Sequence, residues 1–191
     1  MHGKEDKKTT TPFLTDVKTL RERARLHINE GAVTEAYGGD TRTACKILND
    51  ALATEIVCVL RYKRHYFMAA GIHSASVKAE FREHAAEEQE HADRIAERIV
   101  QLGGAPNFSP DGLLSRSHAE YAEGTTLLDM IKEDLVAERI AIDSYREIAT
   151  YFASFDTTTQ RMIEDIQAKE EEHADDLAEL LEQFPSTREP V

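Results

Sequence analysis

The apolar residues of this chain lie in short runs, the longest being Ile56–Leu60, within segments that contain neither glycine nor proline. The four long segments free of both residues cover 13–30, 40–70, 72–102 and 125–184. Both residues are unfavourable inside a helix, so such segments permit long helices. The pattern predicts an all-α chain whose helices are separated by the stretches that contain glycine and proline.

The segment 125–184 is too long for one helix of a globular domain, and we expect it to break near Ser154–Thr157. Asp156 can cap the helix after the break. Thr126 with Asp129 has the form of a capping box near the start of the segment. The predicted elements are a short amphipathic helix at about 15–29 and four bundle helices at about 41–70, 74–102, 126–153 and 157–183.

The lengths of the connections predict the topology. The first and second bundle helices are joined by a few residues, as are the third and fourth, so each pair forms an antiparallel hairpin. The connection from Gly103 to about Thr125 is long enough to run the length of a bundle. The prediction is an up-down-down-up four-helix bundle over 41–184 with one long crossover. It is preceded by an extension over 1–40 and followed by a tail over 185–191.

Composition narrows the classes of protein that fit. Hydrophobic residues make up 41% of the chain and charged residues 31%, and the formal net charge is −13. This charge argues against bulk electrostatic binding of nucleic acid and is compatible with attraction of cations. Neither a signal peptide nor a membrane span is visible, and Cys45 and Cys58 are expected to be free thiols in the core. We therefore expect a cytoplasmic protein.

Two of the predicted helices repeat one motif. Glu88 precedes His91 by three positions on the second helix, and Glu170 precedes His173 in the same way on the fourth. Residues three apart share a helix face, so each pair can reach one metal ion. In a chain so rich in glutamate, two Glu-x-x-His pairs are close to the number that chance produces. Either pair taken alone is explained by a glutamate-rich helix face that is exposed to solvent.

The other two helices change this assessment. Glu55 and Glu138 each lie in a largely apolar stretch, with Tyr62 and Tyr145 seven residues later. The interval from Glu55 to Glu88 is 33 residues, and the corresponding interval in the second hairpin is 32. Antiparallel hairpins with equal intervals place their carboxylates at the same height. Four buried carboxylates at one level need a compensating cation, so the spacing predicts a metal site.

One Glu from each of two helices, with Glu-x-x-His from each of the other two, is the ligand pattern of ferritin-like di-iron carboxylate proteins. Over about 41–183 the chain resembles the bacterioferritin and DNA-protecting-protein branch of that superfamily, with a di-iron site inside each subunit. The resemblance implies that Glu55 and Glu138 are terminal ligands and that Glu88 and Glu170 bridge the two ions. It also implies that His91 and His173 each bind one ion. Tyr62 matches the tyrosine that the family places beside the metals, where a redox role and a purely structural one fit equally well.

The resemblance also implies an activity. It is the oxidation of Fe(II) to Fe(III) by O2 or H2O2 at two iron ions per subunit, with storage of the product inside a hollow homo-oligomeric shell. Oxygen and nitrogen ligands of this kind suit iron or manganese.

Two departures from the bacterioferritin pattern bear on this expectation. Gln89 stands where bacterioferritins have the methionine that binds haem, so we do not expect haem bound in that way. Only seven residues follow Phe184, which favours a 12-subunit shell over one of 24 subunits.

In the N-terminal extension, Lys4, Lys7 and Lys8 could contact DNA, but a solvated tail is the preferred interpretation.

Several further residues lie near the motif in sequence. His84 is one turn before Glu88 and is a candidate for a transient iron site. Glu83 and Glu87 are expected to be solvated carboxylates. Three other histidines are expected at the surface or in loops: His65, His73 and His118. Tyr145 is expected to be structural.

Two other functions use the same residues. A di-iron or di-manganese peroxidase or catalase would need the same six ligands. The alternative without an enzymatic function is a shell or DNA-binding protein whose metal site is vestigial, but the intact ligand set counts against it.

Overall fold

The computed structural model describes residues 14–26, 28–72 and 74–184, and every regular element in these ranges is helical. Contacts divide the chain into two units, the first reaching Tyr37 and the second starting at Gly38. The first unit contains α1, Val17–Arg23, and a 3-10 turn at Ile28–Glu30. The helix predicted at 15–29 is therefore shorter than expected.

The second unit contains four long helices and one short one. Their bounds are α2, Thr41–Met68; α3, Ser74–Gln101; α4, Leu113–Arg116; α5, Leu127–Phe152; and α6, Thr157–Glu182. Asp156 caps α6 by accepting a hydrogen bond from the Thr159 backbone N–H. Thr126 and Asp129 form the capping box at the start of α5. The predicted four-helix bundle is confirmed, with helix ends within about two residues of the expected positions.

Contacts between helix ends give the direction of each helix. Tyr62 near the end of α2 packs against Phe81 near the start of α3, so these two helices are antiparallel. The α5–α6 hairpin is antiparallel in the same way, since Met130 shares a core cluster with Leu177. Arg61 of α2 also donates to Asp134 near the start of α5, which makes those helices antiparallel. The order is therefore up-down-down-up.

The crossover between α3 and α5 is tied to α2 along its path. The Asn49 side chain donates to the carbonyl of Ala105, and Thr54 Oγ1 accepts from the His118 backbone N–H at 2.9 Å. The sequence analysis did not predict the short helix α4 within the crossover, which starts after Gly112 with φ 69°. These contacts hold the crossover against the first hairpin at several levels.

His65 is fully buried, which corrects the prediction of a surface or loop position. Its Nδ1 lies 2.8 Å from Asp134 Oδ2, and its Nε2 lies 3.1 Å from the carbonyl oxygens of Ala122 and Glu123. Asp134 also accepts from Arg61 Nε at 2.7 Å. This buried network joins α2, α5 and the end of the crossover.

The two cysteines are free, as predicted. Cys58 is buried in the core, whereas Cys45 is half-buried. Within the described part of the chain, no helix is both long and apolar enough to cross a membrane.

Candidate metal centre

The six residues predicted as ligands lie together in the middle of the bundle. Each of the four long helices supplies at least one of them, and the nearly equal intervals of 33 and 32 residues in the two hairpins bring them to one level. All six are at most 4% exposed: Glu55, Glu88, His91, Glu138, Glu170 and His173. A carboxylate is costly to bury without compensation, so this concentration of buried acids needs a cause.

The ligand atoms of these residues form two overlapping groups, and within each group they lie within 4.8 Å of one another. The first group combines Glu55, Glu88 and His91 of the first hairpin with Glu170 of the second. The second combines Glu138, Glu170 and His173 with Glu88. Glu88 and Glu170 therefore belong to both groups, each of which can hold a metal ion.

Short distances link the two histidines to the shared carboxylates. His91 Nδ1 lies 2.9 Å from Glu170 Oε1 and 3.4 Å from Glu55 Oε2. His173 Nδ1 lies 3.3 Å from Glu170 Oε2 and 3.5 Å from Glu88 Oε1. The ring nitrogens and the carboxylate oxygens thus point into a common space.

Most of these inward-facing atoms make no hydrogen bond, because the short distances between them are not combined with suitable hydrogen-bond angles. Among the described residues, the buried side-chain atoms without one include Glu55 Oε2, Glu88 Oε1, His91 Nδ1, Glu138 Oε2, both Glu170 oxygens and His173 Nδ1. Buried polar atoms nearly always have a hydrogen-bond partner. This many unpaired atoms in one place therefore indicate that a partner is absent. Carboxylate oxygens with imidazole nitrogens fit a divalent iron or manganese ion.

Without a bound cation, the buried carboxyl groups differ in acidity. Burial raises the pKa of Glu55 and of Glu138, and the nearby charge of Glu88 raises both further. Burial alone would also raise the pKa of Glu88, but contacts with Glu55 and His173 lower it well below its usual value. The lowered pKa favours the ionised form of Glu88, which is the form that a bridging ligand requires.

The carboxylates also change the acidity of the histidines. Burial alone would lower the pKa of His173, but Glu170 and Glu88 raise it to about 11. The pKa of His91 is likewise raised far above its usual value, because Glu170 and Glu55 outweigh the effect of burial. With no metal ion present, two imidazolium groups would compensate part of the negative charge.

Two tyrosines contact the terminal carboxylates from the opposite hairpin. Tyr62 of α2 donates its hydroxyl hydrogen to Glu138 of α5, and Tyr145 of α5 donates to Glu55 of α2. Both side chains are fully buried. Each tyrosine follows a glutamate of its own helix by seven positions, but its hydroxyl group contacts the glutamate of the facing helix.

One residue near the centre, Glu87, was not assigned correctly from the sequence. Glu87 was expected to be solvated, but its Oε2 lies 2.7 Å from His173 Nε2, on the side of the ring that faces away from the other ligands. A carboxylate in that position fixes the orientation of a metal-binding histidine. Lys169 Nζ lies 3.5 Å from the same carboxylate. In the sequence, only the position of Glu87 next to Glu88 indicated such a role.

The remaining candidates lie where the sequence analysis expected or next to the centre. Glu83 and His118 are exposed, and His73 lies outside the described residues.

His84 is buried beside the centre, with its ring stacked on that of His173 at a centroid distance of 4.0 Å. Burial and the nearby His173 lower the pKa of His84 to about 4. The side chain of Gln89 donates to Asp93 at 2.9 Å.

The chain is similar to several known proteins. Two curated relatives are a bacterioferritin of Mycobacterium bovis and a nutrient stress-induced DNA-binding protein of Synechococcus sp. The first is 30% identical over 138 residues, covering 72% of this chain and 82% of the relative. The second is 29% identical over 144 residues, covering 74% of this chain and 82% of the relative.

One similar solved structure is the bacterioferritin-related protein of Bacteroides fragilis, described as a dodecameric thioferritin. It superposes with a TM-score of 0.72 at 34% identity, covering 75% of this chain and 86% of that one. The ferritin-like domain family matches residues 45–187, which is most of the bundle and includes the six clustered residues. The chain therefore belongs to the ferritin-like domain family.

Proposed function

We propose that this protein is a ferroxidase that oxidises Fe(II) to Fe(III) at the two overlapping groups in the bundle. The observation that carries the proposal is the set of buried, unpaired oxygen and nitrogen atoms that point into one space. In this role Glu88 and Glu170 bridge the two substrate ions, and Glu55 and Glu138 are terminal ligands. His91 binds one ion and His173 the other.

The reaction balances with two ferrous ions and one oxidant molecule. Each Fe(II) loses one electron, and the two electrons with two protons reduce O2 to H2O2 or H2O2 to two water molecules. The ligand carboxylates lower the cost of the increase in positive charge, because they lie in a buried site where electrostatic interactions are strong. Glu87 and the two tyrosines keep the ligands oriented.

The decisive experiment follows ferric absorbance after Fe(II) is added in air. Glu88→Ala combined with Glu170→Ala removes both shared carboxylates, and we expect its rate to fall to that of protein-free buffer. Glu90→Ala combined with Glu179→Ala is the matched control, since it removes exposed glutamates from the same two helices and should keep the wild-type rate. Equal rates in all three proteins would contradict the ferroxidase proposal.

Two further comparisons in the same assay refine the proposal. A double Glu→Gln variant at positions 88 and 170 keeps side-chain volume, so a loss of activity there separates ligand chemistry from misfolding. Tyr62→Phe and Tyr145→Phe remove matched hydroxyl groups. A slower rate for Tyr62→Phe alone would support the catalytic role predicted for Tyr62, whereas equal effects would assign both tyrosines to ligand positioning.

We further propose that the protein stores the ferric product in a hollow shell of identical subunits, with twelve copies favoured over twenty-four. The similar protein of Bacteroides fragilis is described as dodecameric, which supports the smaller shell. The choice of O2 or H2O2 follows from comparing the rates with each oxidant at equal concentration. Absence of haem stays a prediction, and a Soret band in the purified protein would contradict it.

A DNA-protecting role is the second candidate, and the relative from Synechococcus is named as DNA-binding. The lysines proposed for DNA contact, Lys4, Lys7 and Lys8, lie outside the described residues. The formal net charge of −13 opposes binding through bulk charge. We expect no shift of duplex DNA in a gel at 150 mM salt.

A further inference from the structure

A second cluster of metal-binding side chains lies beside the centre and contains none of its six ligands. It consists of Glu80 and His84 of α3 with Asp176 of α6, whose ligand atoms lie within 4.8 Å of one another. The Glu80 side chain is 35% exposed and that of Asp176 is 53% exposed, whereas His84 is only 1% exposed. The cluster therefore extends from the surface of the unit to the buried histidine.

The Nε2 atom of His84 points at the two carboxylates without a hydrogen bond to either. It lies 3.8 Å from Glu80 Oε2 and 3.6 Å from Asp176 Oδ2, beyond hydrogen-bond distance. Two ligands that each lie about 2.1 Å from one ion are separated by at most about 4.2 Å. Both distances therefore suit a cation placed between the ring and the carboxylates.

The other ring nitrogen indicates which tautomer His84 adopts. Tyr62 donates its hydroxyl hydrogen to Glu138, so its oxygen can accept a hydrogen bond from His84 Nδ1, which lies 3.2 Å away. A proton on Nδ1 leaves the lone pair on Nε2, directed at Glu80 and Asp176. A histidine that binds a metal through one nitrogen commonly donates from the other to a fixed acceptor.

We propose that Glu80, His84 and Asp176 form a third divalent-cation site that binds a ferrous ion before it reaches the centre. The assignment of iron and of this order rests on the proposed function, whereas the site itself rests on the geometry of these side chains. His84 connects the two locations, because its ring stacks on His173 and its Nδ1 contacts Tyr62. One imidazole and two carboxylates suit Fe(II), Mn(II) or Co(II), with water completing the coordination.

Equilibrium dialysis of the full chain against Co(II) tests the site without any oxidation. Asp176→Asn should bind one Co(II) per chain fewer than Asp175→Asn, an exposed neighbour that loses the same charge. Glu80→Gln should likewise bind one fewer than Glu83→Gln, which alters an exposed glutamate on the same helix. Equal binding by the members of both pairs would overturn the third site.

Ferroxidation kinetics test the order of binding. We expect Asp176→Asn to raise the Fe(II) concentration that gives half the maximal rate severalfold, with the maximal rate unchanged relative to Asp175→Asn. If Asp176→Asn loses the Co(II) but keeps both kinetic constants, the site stands and its role ahead of the centre is overturned. A wild-type protein that binds the third Co(II) but oxidises no Fe(II) would contradict the proposed function and leave the site in place.

Discussion

At the scale of single residues, the candidate metal centre is a cluster of acids and bases that shift one another's pKa values. Glu88 and Glu170 each face both histidines, and the resulting attraction raises the pKa of His173 to about 11. A nitrogen that binds a metal ion must first lose its proton. A metal ion at this candidate centre would therefore compete with protons for the same nitrogen atoms.

This competition predicts that metal binding releases protons at pH 7. His173 holds its proton well above neutral pH, and the pKa of His91 is raised even more, so each should release about one proton per chain when its nitrogen binds a metal. Because the raised pKa favours the protonated form, the apparent metal affinity should fall as the pH is lowered. Calorimetric titration with Zn(II) in buffers of different ionisation enthalpy measures the release.

A histidine pair supplies the control for proton release. His173→Gln should release about one proton fewer than the wild type. His118→Gln changes an exposed histidine in the crossover and should match the wild type. A release that does not depend on residue 173 would rule out this origin of the protons.

At the scale of helices, capping residues and the absence of glycine and proline made most of the fold predictable. The breaks at Thr126 and Asp156 could be located because a helix start depends on residues three positions apart. The burial of His65 could not, since its partner Asp134 is 69 positions away. The same limit applies to Glu87, whose contact with His173 exists only after α3 and α6 pack together.

The network around Asp134 predicts a large stability effect. Asp134→Ala leaves the buried guanidinium group of Arg61 and the ring of His65 without their carboxylate partner. Loss of one partner of a buried ion pair costs about 3–5 kcal/mol. Chemical denaturation at a fixed protein concentration should show this loss in the free energy of unfolding.

The matched control for this stability measurement is Asp143→Ala. Asp143 is on the same helix, its side chain is 79% exposed, and it pairs only with Arg146 in the described structure. Exposed ion pairs contribute about 1 kcal/mol or less. Similar effects of the two substitutions would contradict a stabilising role for the Asp134 network.

At the scale of the whole molecule, the candidate centre lies within one chain, so the proposed iron binding would not depend on the number of subunits. All six candidate ligands come from one chain, so the number of subunits in the proposed shell would affect the proposed storage and not the chemistry of the site. Most of the candidate site could be predicted because its candidate ligands recur at nearly equal intervals in two hairpins. The crossed tyrosine contacts and the neighbouring cluster at Asp176 depend on packing between hairpins, which those intervals do not specify.

The proposed shell predicts a defined particle mass. Twelve copies of the 21.5 kDa chain give about 258 kDa and twenty-four give about 516 kDa. We expect native mass spectrometry of the purified protein to show the smaller particle. A dominant monomer or dimer under the same conditions would contradict storage inside a shell.

The division of the ligands between the two hairpins has a consequence for how the chain folds. Each hairpin carries three of the six ligands, and neither metal group is complete without a residue from the other hairpin. Each hairpin consists of neighbours in sequence and can form early, whereas docking joins distant segments and brings like charges together. A cation bound to both hairpins would therefore stabilise their docking, the last step of assembly, and chelation would separate the two hairpins before either one unfolds.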